Sequence, residues 1–163
     1  MKEEVLSASA AETYQLGRKT AKRLLSLKHK QGAVTVGLTG QLGSGKTVFV
    51  QGFARGLEIK DQIVSPTFIL MRNYTISKSD QFKYLYHVDL YRIKANDINS
   101  LGIKNLLTDK SAILIIEWAD KIRDNLPPDT IWISFSHRSI QSKRHRPKAD
   151  EFLRRIKLDN LNE

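Results

Sequence analysis

The chain has 163 residues, of which 40 % are hydrophobic and 27 % charged, the mix of an ordinary globular protein with enough length to bury a core as one domain over residues 1–163. The 27 Lys+Arg against 17 Asp+Glu give a formal charge of +10, which favours polyanionic contacts such as nucleic acid, nucleotide or an acidic protein face, but also serves solubility alone. The absence of cysteine excludes disulfides and thiolate metal sites; with no apolar run near 18 residues and an acidic start at Glu3-Glu4, neither a transmembrane helix nor a secretory leader is expected, which suits a cytoplasmic protein.

A helix is predicted from about Ala8 to Leu27, capped by Ser7 or Ser9, with Leu16, Thr20, Leu24 and Leu27 turned inward and Gly32 in the following turn. Ala33–Thr39 is short, apolar and β-branched, and reads as a buried strand. A second helix follows, with Phe49, Phe53 and Leu57 on one face and Gly56 weakening its end. Ile63–Phe68 is a proline-bearing connection. Phe68–Met71 leads into a strand, and residues 73–80 suggest a hairpin turn before the strand Tyr84–Leu90. Residues 96–108 suggest one or two short helices. Ala112–Ile116 is continuously hydrophobic, as expected of a central parallel strand buried on both faces. A short helix over Ala119–Leu126 should stop at Pro127-Pro128, and strands are expected at Ile131–Phe135 and Phe152–Leu158, with a basic loop over 139–149 between them. The positive charge gathers in two places: Arg18, Lys19, Lys22, Arg23, Lys28 and Lys30 near the first helix, and Arg138, Lys143, Arg144, Arg146, Lys148, Arg154, Arg155 and Lys157 in the tail.

Between the first strand and the second helix, Gly40-Gln41-Leu42-Gly43-Ser44-Gly45-Lys46-Thr47 satisfies G-x-x-x-x-G-K-[ST] at every fixed position. In that pattern the loop amides and the helix N-terminus cradle phosphate oxygens, Lys46 reaches the β/γ-phosphates and the Thr47 hydroxyl ligates magnesium. Glu117 ends the hydrophobic strand, where a carboxylate would help hold the metal, face the ligand crevice and be dispensable to the core; the plainer reading is a surface glutamate. Asp89 also ends a strand and could orient or deprotonate water, or instead cap the strand or pair with Arg92. His87, two residues earlier, reads as a structural hydrogen-bonding histidine. Thr67, within Ser65-Pro66-Thr67-Phe68, occupies the place of a loop that senses a γ-phosphate, unless the segment is an ordinary proline turn.

Together these segments resemble the TsaE (YjeE) family of small bacterial ATPases needed to make N6-threonylcarbamoyladenosine in tRNA. The resemblance rests on the loop 40–47, Ser65-Pro-Thr-Phe68, His87-Val-Asp-Leu-Tyr-Arg92, Leu101-Gly102 and Ile116-Glu-Trp118, in order across residues 40 to about 119. Thr13-Tyr-Gln-Leu-Gly17 is similar to the family's N-terminal helix, in which a threonine lies near the nucleotide base. The family's loop usually reads G-D-L-G-A-G-K-T, so Gln41 and Ser44 are departures, as is Ala119 in place of the proline after I-E-W.

The resemblance implies an α/β domain, P-loop NTPase-like and three-layered, with a mostly parallel sheet flanked by helices. It also implies ATP and Mg²⁺ as cofactors, and hydrolysis coupled to a TsaB–TsaD complex in which TsaD performs the transfer. Lys46, Asp89 and Thr67 would carry the chemistry, the loop residues and Thr13 would bind nucleotide, and Thr47 and Glu117 would hold the metal. No residue is an evident arginine finger, Arg92 being a weak candidate. The guanine-specific N-K-x-D signature is absent, which favours ATP. Two other activities fit the same loop: a small-molecule or nucleoside kinase with 138–148 as a lid, and a tRNA-binding module that keeps ATP as a structural ligand.

Overall fold

The structure, a computed structural model, describes residues 3–26, 32–93, 102–138 and 153–161. The basic loop 139–149 and the residues 96–101 of the expected helical stretch lie outside them. The strand β1 (Glu3–Ser7) leads into the helix α1 (Ala10–Ser26), then β2 (Val34–Thr39), α2 (Lys46–Gly56), β3 (Met71–Thr75) and β4 (Tyr84–Asp89). The short helix α3 (Ile103–Leu106), β5 (Ala112–Glu117), a 3₁₀ helix (Ala119–Asn125), β6 (Ile131–Arg138) and β7 (Leu153–Asp159) complete the order.

One seven-stranded sheet runs β1-β7-β6-β2-β5-β4-β3. Its centre, β6-β2-β5-β4, is parallel, whereas β3 on one edge and β7 and β1 on the other are antiparallel. The expected mixed α/β architecture with a mostly parallel centre is therefore present. β5 lies between two parallel neighbours and all six of its residues are buried, which is why its sequence is continuous rather than alternating. Ile113 and Ile115 face a core shared with Phe49, Phe53 and Leu24. Leu114 and Ile116 face a second core with Ile103, Ala119 and Ile122, so helices cover both faces of the sheet. Each such isoleucine or leucine contributes roughly 1.5–3 kcal/mol by leaving water.

The inward side of α1 differs from the periodicity. Its buried residues are Thr13, Gly17, Thr20, Ala21 and Leu24, and Leu16 is only partly buried; Leu27 lies outside the described residues. The small side chains are there because α2 approaches almost backbone to backbone. A Cβ on Gly17 would sit 2.2 Å from the Phe49 carbonyl oxygen, and one on Gly52 only 1.9 Å from that of Tyr14. Gly56, expected to weaken the helix end, is a contact glycine too, facing the Arg18 carbonyl at 2.5 Å. Ser9 is the cap, its Oγ accepting from the Glu12 amide at 3.1 Å while the Glu12 carboxylate accepts from the Ala8 amide at 2.7 Å, a variant of the capping box. Ser7 belongs to the preceding strand.

That strand has no counterpart among the sequence expectations. Glu3-Glu4-Val5-Leu6-Ser7 is short and acidic, which propensity disfavours, yet charge suits a sheet edge. Its partner β7 is basic: Glu4 lies 3.0 Å from Arg155 and 3.7 Å from Lys157, and Glu3 3.1 Å from Arg23 on α1. The helix after β5 also differs in kind, being 3₁₀ with Ile122 off helical geometry at φ −128° before Pro127.

Candidate functional site

The parallel strands place the chemistry. β2, β5 and β4 point the same way, and the register sets Leu38 and Asp89 both opposite Glu117. The glycine loop, Glu117 and Asp89 therefore emerge side by side at the carboxyl ends of adjacent strands, the edge where open α/β sheets bind ligands. A cleft of about 290 Å³ is lined there by Leu42 to Val48 of the loop and α2, with Ser65, Thr67, Asp89, Tyr91, Glu117 and Trp118.

The loop conformation depends on its glycines. Gly45 has φ +102° and Gly40 φ +139°, regions that side chains avoid, and a Cβ at Gly40 would meet the Phe135 carbonyl at 2.5 Å. Among the described residues no side chain caps α2, so the donors of its first turn have no side-chain acceptor there. Gln41 and Leu42 are exposed while Ser44 is buried, its Oγ without a hydrogen-bond partner among the described residues.

Lys46 opens α2 and folds back over its own loop. Its Nζ donates to the carbonyls of Gly40 at 2.7 Å and Gln41 at 2.9 Å, and sits 4.0 Å from the centre of the Trp118 ring. Burial pushes the ammonium below its ordinary value, against the opposing pull of Glu117, Asp89 and Asp120. Trp118 is held at φ +60°, a left-handed conformation unusual for a bulky residue, and its ring lies 5.2 Å from that of Tyr91.

Glu117 is not the exposed charge expected of a crevice carboxylate. It is 3 % exposed and accepts from the Thr47 hydroxyl at 3.0 and 3.1 Å. His87, fully buried on the neighbouring strand, lies with Nε2 2.9 Å from Glu117 Oε1. His87 is thus a hydrogen-bonding histidine, and its partner belongs to the candidate site. The period-two spacing of His87 and Asp89 hinted at this; the pairing of β4 with β5 decides it.

Asp89 does not pair with Arg92, whose guanidinium stacks 4.5 Å from the centre of the Phe68 ring. Its Oδ1 accepts from the Tyr91 amide at 2.9 Å, and its Oδ2 from the Ser65 hydroxyl at 2.9 Å and from the Thr67 hydroxyl. Ser65 and Thr67 are themselves 2.6 Å apart. The Ser-Pro-Thr turn is therefore seated on the carboxylate that ends β4. Lys121 braces the adjoining segment, donating to the carbonyls of Leu90, Tyr91 and Ile93 at 2.6–3.1 Å.

Thr13 stands apart from this cluster. It is buried, with its hydroxyl 2.8 Å from Ser7 Oγ and 3.1 Å from the Ser9 carbonyl. Its methyl carbon lies 3.5 Å from where a Cβ on Gly45 would be. It backs the loop and does not line the cleft.

A parallel-centred α/β domain that gathers a glycine loop, a lysine, a hydroxyl and two strand-end carboxylates in one cleft defines a class of ligand-binding protein. Within it, the family model described as threonylcarbamoyl adenosine biosynthesis protein TsaE matches residues 7–146. The chain belongs to the TsaE family, a family of tRNA threonylcarbamoyladenosine biosynthesis. It is 34 % identical to the TsaE protein of Haemophilus influenzae over 76 % of this chain and 75 % of that one. To the TsaE protein of Treponema pallidum it is 35 % identical over 79 % and 87 %. The fold is similar to the crystal structure of Bacillus subtilis YdiB, with TM-score 0.67 and 25 % identity over 97 % of this chain and 84 % of that chain. No described helix is long and apolar enough to cross a membrane.

Proposed function

We propose that this chain is a Mg²⁺-dependent P-loop ATPase, a three-layer NTPase-like domain that serves tRNA threonylcarbamoyladenosine modification in the cytoplasm by acting on a TsaB–TsaD complex. The observation that carries this reading is the linkage of Lys46-Thr47 to Glu117 beside Asp89 within one cleft. Family membership supplies the pathway, and the pattern of the loop supplies the nucleotide.

The donor set fits the metal. Mg²⁺ takes hard oxygen ligands and commonly only one or two from the protein, the rest coming from phosphate and water. Thr47 Oγ1 and Glu117 are two such donors, 3.0 Å apart. When bound, the ion neutralises charge on the β- and γ-oxygens. His87 fixes the carboxylate through Oε1, which leaves lone pairs on Oε2.

Lys46 would exchange two neutral carbonyl acceptors for anionic phosphate oxygens, so that both partners of each hydrogen bond are charged. The loop amides and the start of α2 face the same anion. Asp89 Oδ2 already accepts two hydroxyls and Oδ1 one amide. One lone pair of Oδ1 thus remains to orient water, and Ser65 and Thr67 hold the carboxylate in place while it does so. Phosphoryl transfer depends on positioning and charge more than on covalent chemistry.

Incubation of the purified chain with labelled ATP and Mg²⁺, alone and with TsaB–TsaD, tests the reading. Free phosphate that increases with partners is the expected result. A phosphorylated small acceptor would make the chain a kinase, and ATP retained unhydrolysed beside bound tRNA would make it a binding module.

A further inference from the structure

The carboxylate cluster lies on one side of the glycine loop only. In the sheet order, the loop leaves β2, while Glu117 and Asp89 come from β5 and β4 on one side. On the other side β6 is followed by β7, and one residue of β7 reaches back to the loop. Arg154 places its Cδ and Nε 3.5 Å from where a Cβ on Gly45 would be, next to the Thr13 methyl at the same distance. Backbone pairing holds Arg154 between Ser7 of β1 and His137 of β6. Its Nε is shielded from solvent and has no hydrogen-bond partner among the described residues. A shielded guanidinium N–H without an acceptor is unfavourable, and it lies beside a helix start that also lacks a side-chain cap.

We infer that Arg154 is a nucleotide-binding residue that donates to the α-phosphate. The inference rests on the nucleotide reading given above. The ends of the nucleotide follow from the topology. Thr47, Glu117, Asp89 and Thr67 mark the metal and γ-phosphate end, on the β5–β4 side. A nucleotide lying across the loop presents its α-phosphate and nucleoside to the opposite side, where Arg154 stands. Arg154 is therefore not an arginine finger: it does not face the γ-phosphate. It adds a cation to a site whose lysine is opposed by Glu117, Asp89 and Asp120. It also gives one residue of the basic tail a role distinct from solubility or contact with nucleic acid, whereas its neighbour Arg155 faces Glu4.

The test is equilibrium binding of ATP and of ADP to the full chain, with Arg154→Gln and Arg154→Lys. The α-phosphate is common to both ligands, so Arg154→Gln should weaken both by the same factor, about ten- to a hundredfold, the scale of a hydrogen bond to a charged group. Arg154→Lys keeps a point charge and should recover most of that loss, with weaker affinity at high salt. Thermal unfolding without nucleotide should be no lower in Arg154→Gln than in the parent, because the Arg154 Nε has no hydrogen-bond partner among the described residues. Equal affinity of parent and Arg154→Gln would overturn the assignment while leaving the nucleotide reading intact. A loss confined to ATP would also overturn it, by moving the contact to the γ-phosphate. A parent that binds neither ATP nor ADP would overturn the nucleotide reading itself.

Discussion

On the β5–β4 side of the glycine loop, Glu117 and Asp89 are buried carboxylates partnered by Thr47 of α2, His87 of β4, the Ser65–Thr67 turn and the Tyr91 amide. On the β6–β7 side the strands are antiparallel beyond β6, and Arg154 faces Gly45 with its Nε unpartnered among the described residues. The hydroxyl–carboxylate contacts of the first side are satisfied before any ligand arrives; the second holds a cation in reserve. A preformed acidic network would fix donor geometry for a metal and a water, whereas a guanidinium N–H without an acceptor gains most when an anion appears. On the reading proposed above, the asymmetry puts chemistry on one flank and affinity on the other.

The largest effect should come from the residue between the two flanks. Lys46→Ala removes the cation shared by the loop carbonyls and the carboxylates. Tight ATP binding or turnover should be lost while circular dichroism remains that of a folded chain. Unchanged affinity by calorimetry together with unchanged hydrolysis would show that neither flank acts on phosphate.

On the acidic flank, Asp89→Asn and Glu117→Gln should separate binding from turnover. Asp89→Asn keeps the volume but leaves one oxygen to accept where two did, so either Tyr91 or the Ser-Pro-Thr turn loses its anchor. ATP should bind as well as in the parent, and partner-stimulated hydrolysis should fall about a hundredfold or more, the scale of a positioned acid or base. Glu117→Gln should shift the magnesium titration to higher concentration, and it should also lower the melting temperature, because Glu117 is buried against His87. A parent-like magnesium curve would reduce Glu117 to a structural partner of His87.

Behind the loop on the opposite flank, Thr13 should show a smaller effect, and that on stability. Thr13→Val keeps the methyl facing Gly45 but removes the hydroxyl that meets Ser7 Oγ and the Ser9 carbonyl. A loss of about 1–2 kcal/mol is expected by denaturant unfolding, and the nucleotide affinity measured beside it reports whether Thr13 does more than back the loop. The smallest expected effect is electrostatic. If the tail contacts tRNA, replacing Arg144, Arg146 and Lys148 with Ala should flatten the dependence of tRNA binding on salt; an identical slope leaves them as solubility charges.

Local sequence determined the central strands, α2 and the loop. Ala112–Ile116 is legible because burial on both faces demands an unbroken apolar run, and the glycine loop is legible because its backbone geometry restricts residue type at fixed spacing. Asp89 and Glu117 were visible as strand-end acids. Tertiary structure alone decided what those acids touch: the register of β4 on β5 sets His87 diagonal to Glu117, within hydrogen-bonding reach, and the return of residues 65–67 puts two hydroxyls on Asp89. It also decided the whole antiparallel edge. β1 is too short and acidic to announce itself, and it exists as a strand because β7 offers it both a hydrogen-bonding edge and complementary charge. Arg154 looked like any other basic residue of the tail. Only a crossing of more than a hundred positions in sequence brings it beside Gly45, and no local pattern encodes a contact of that kind.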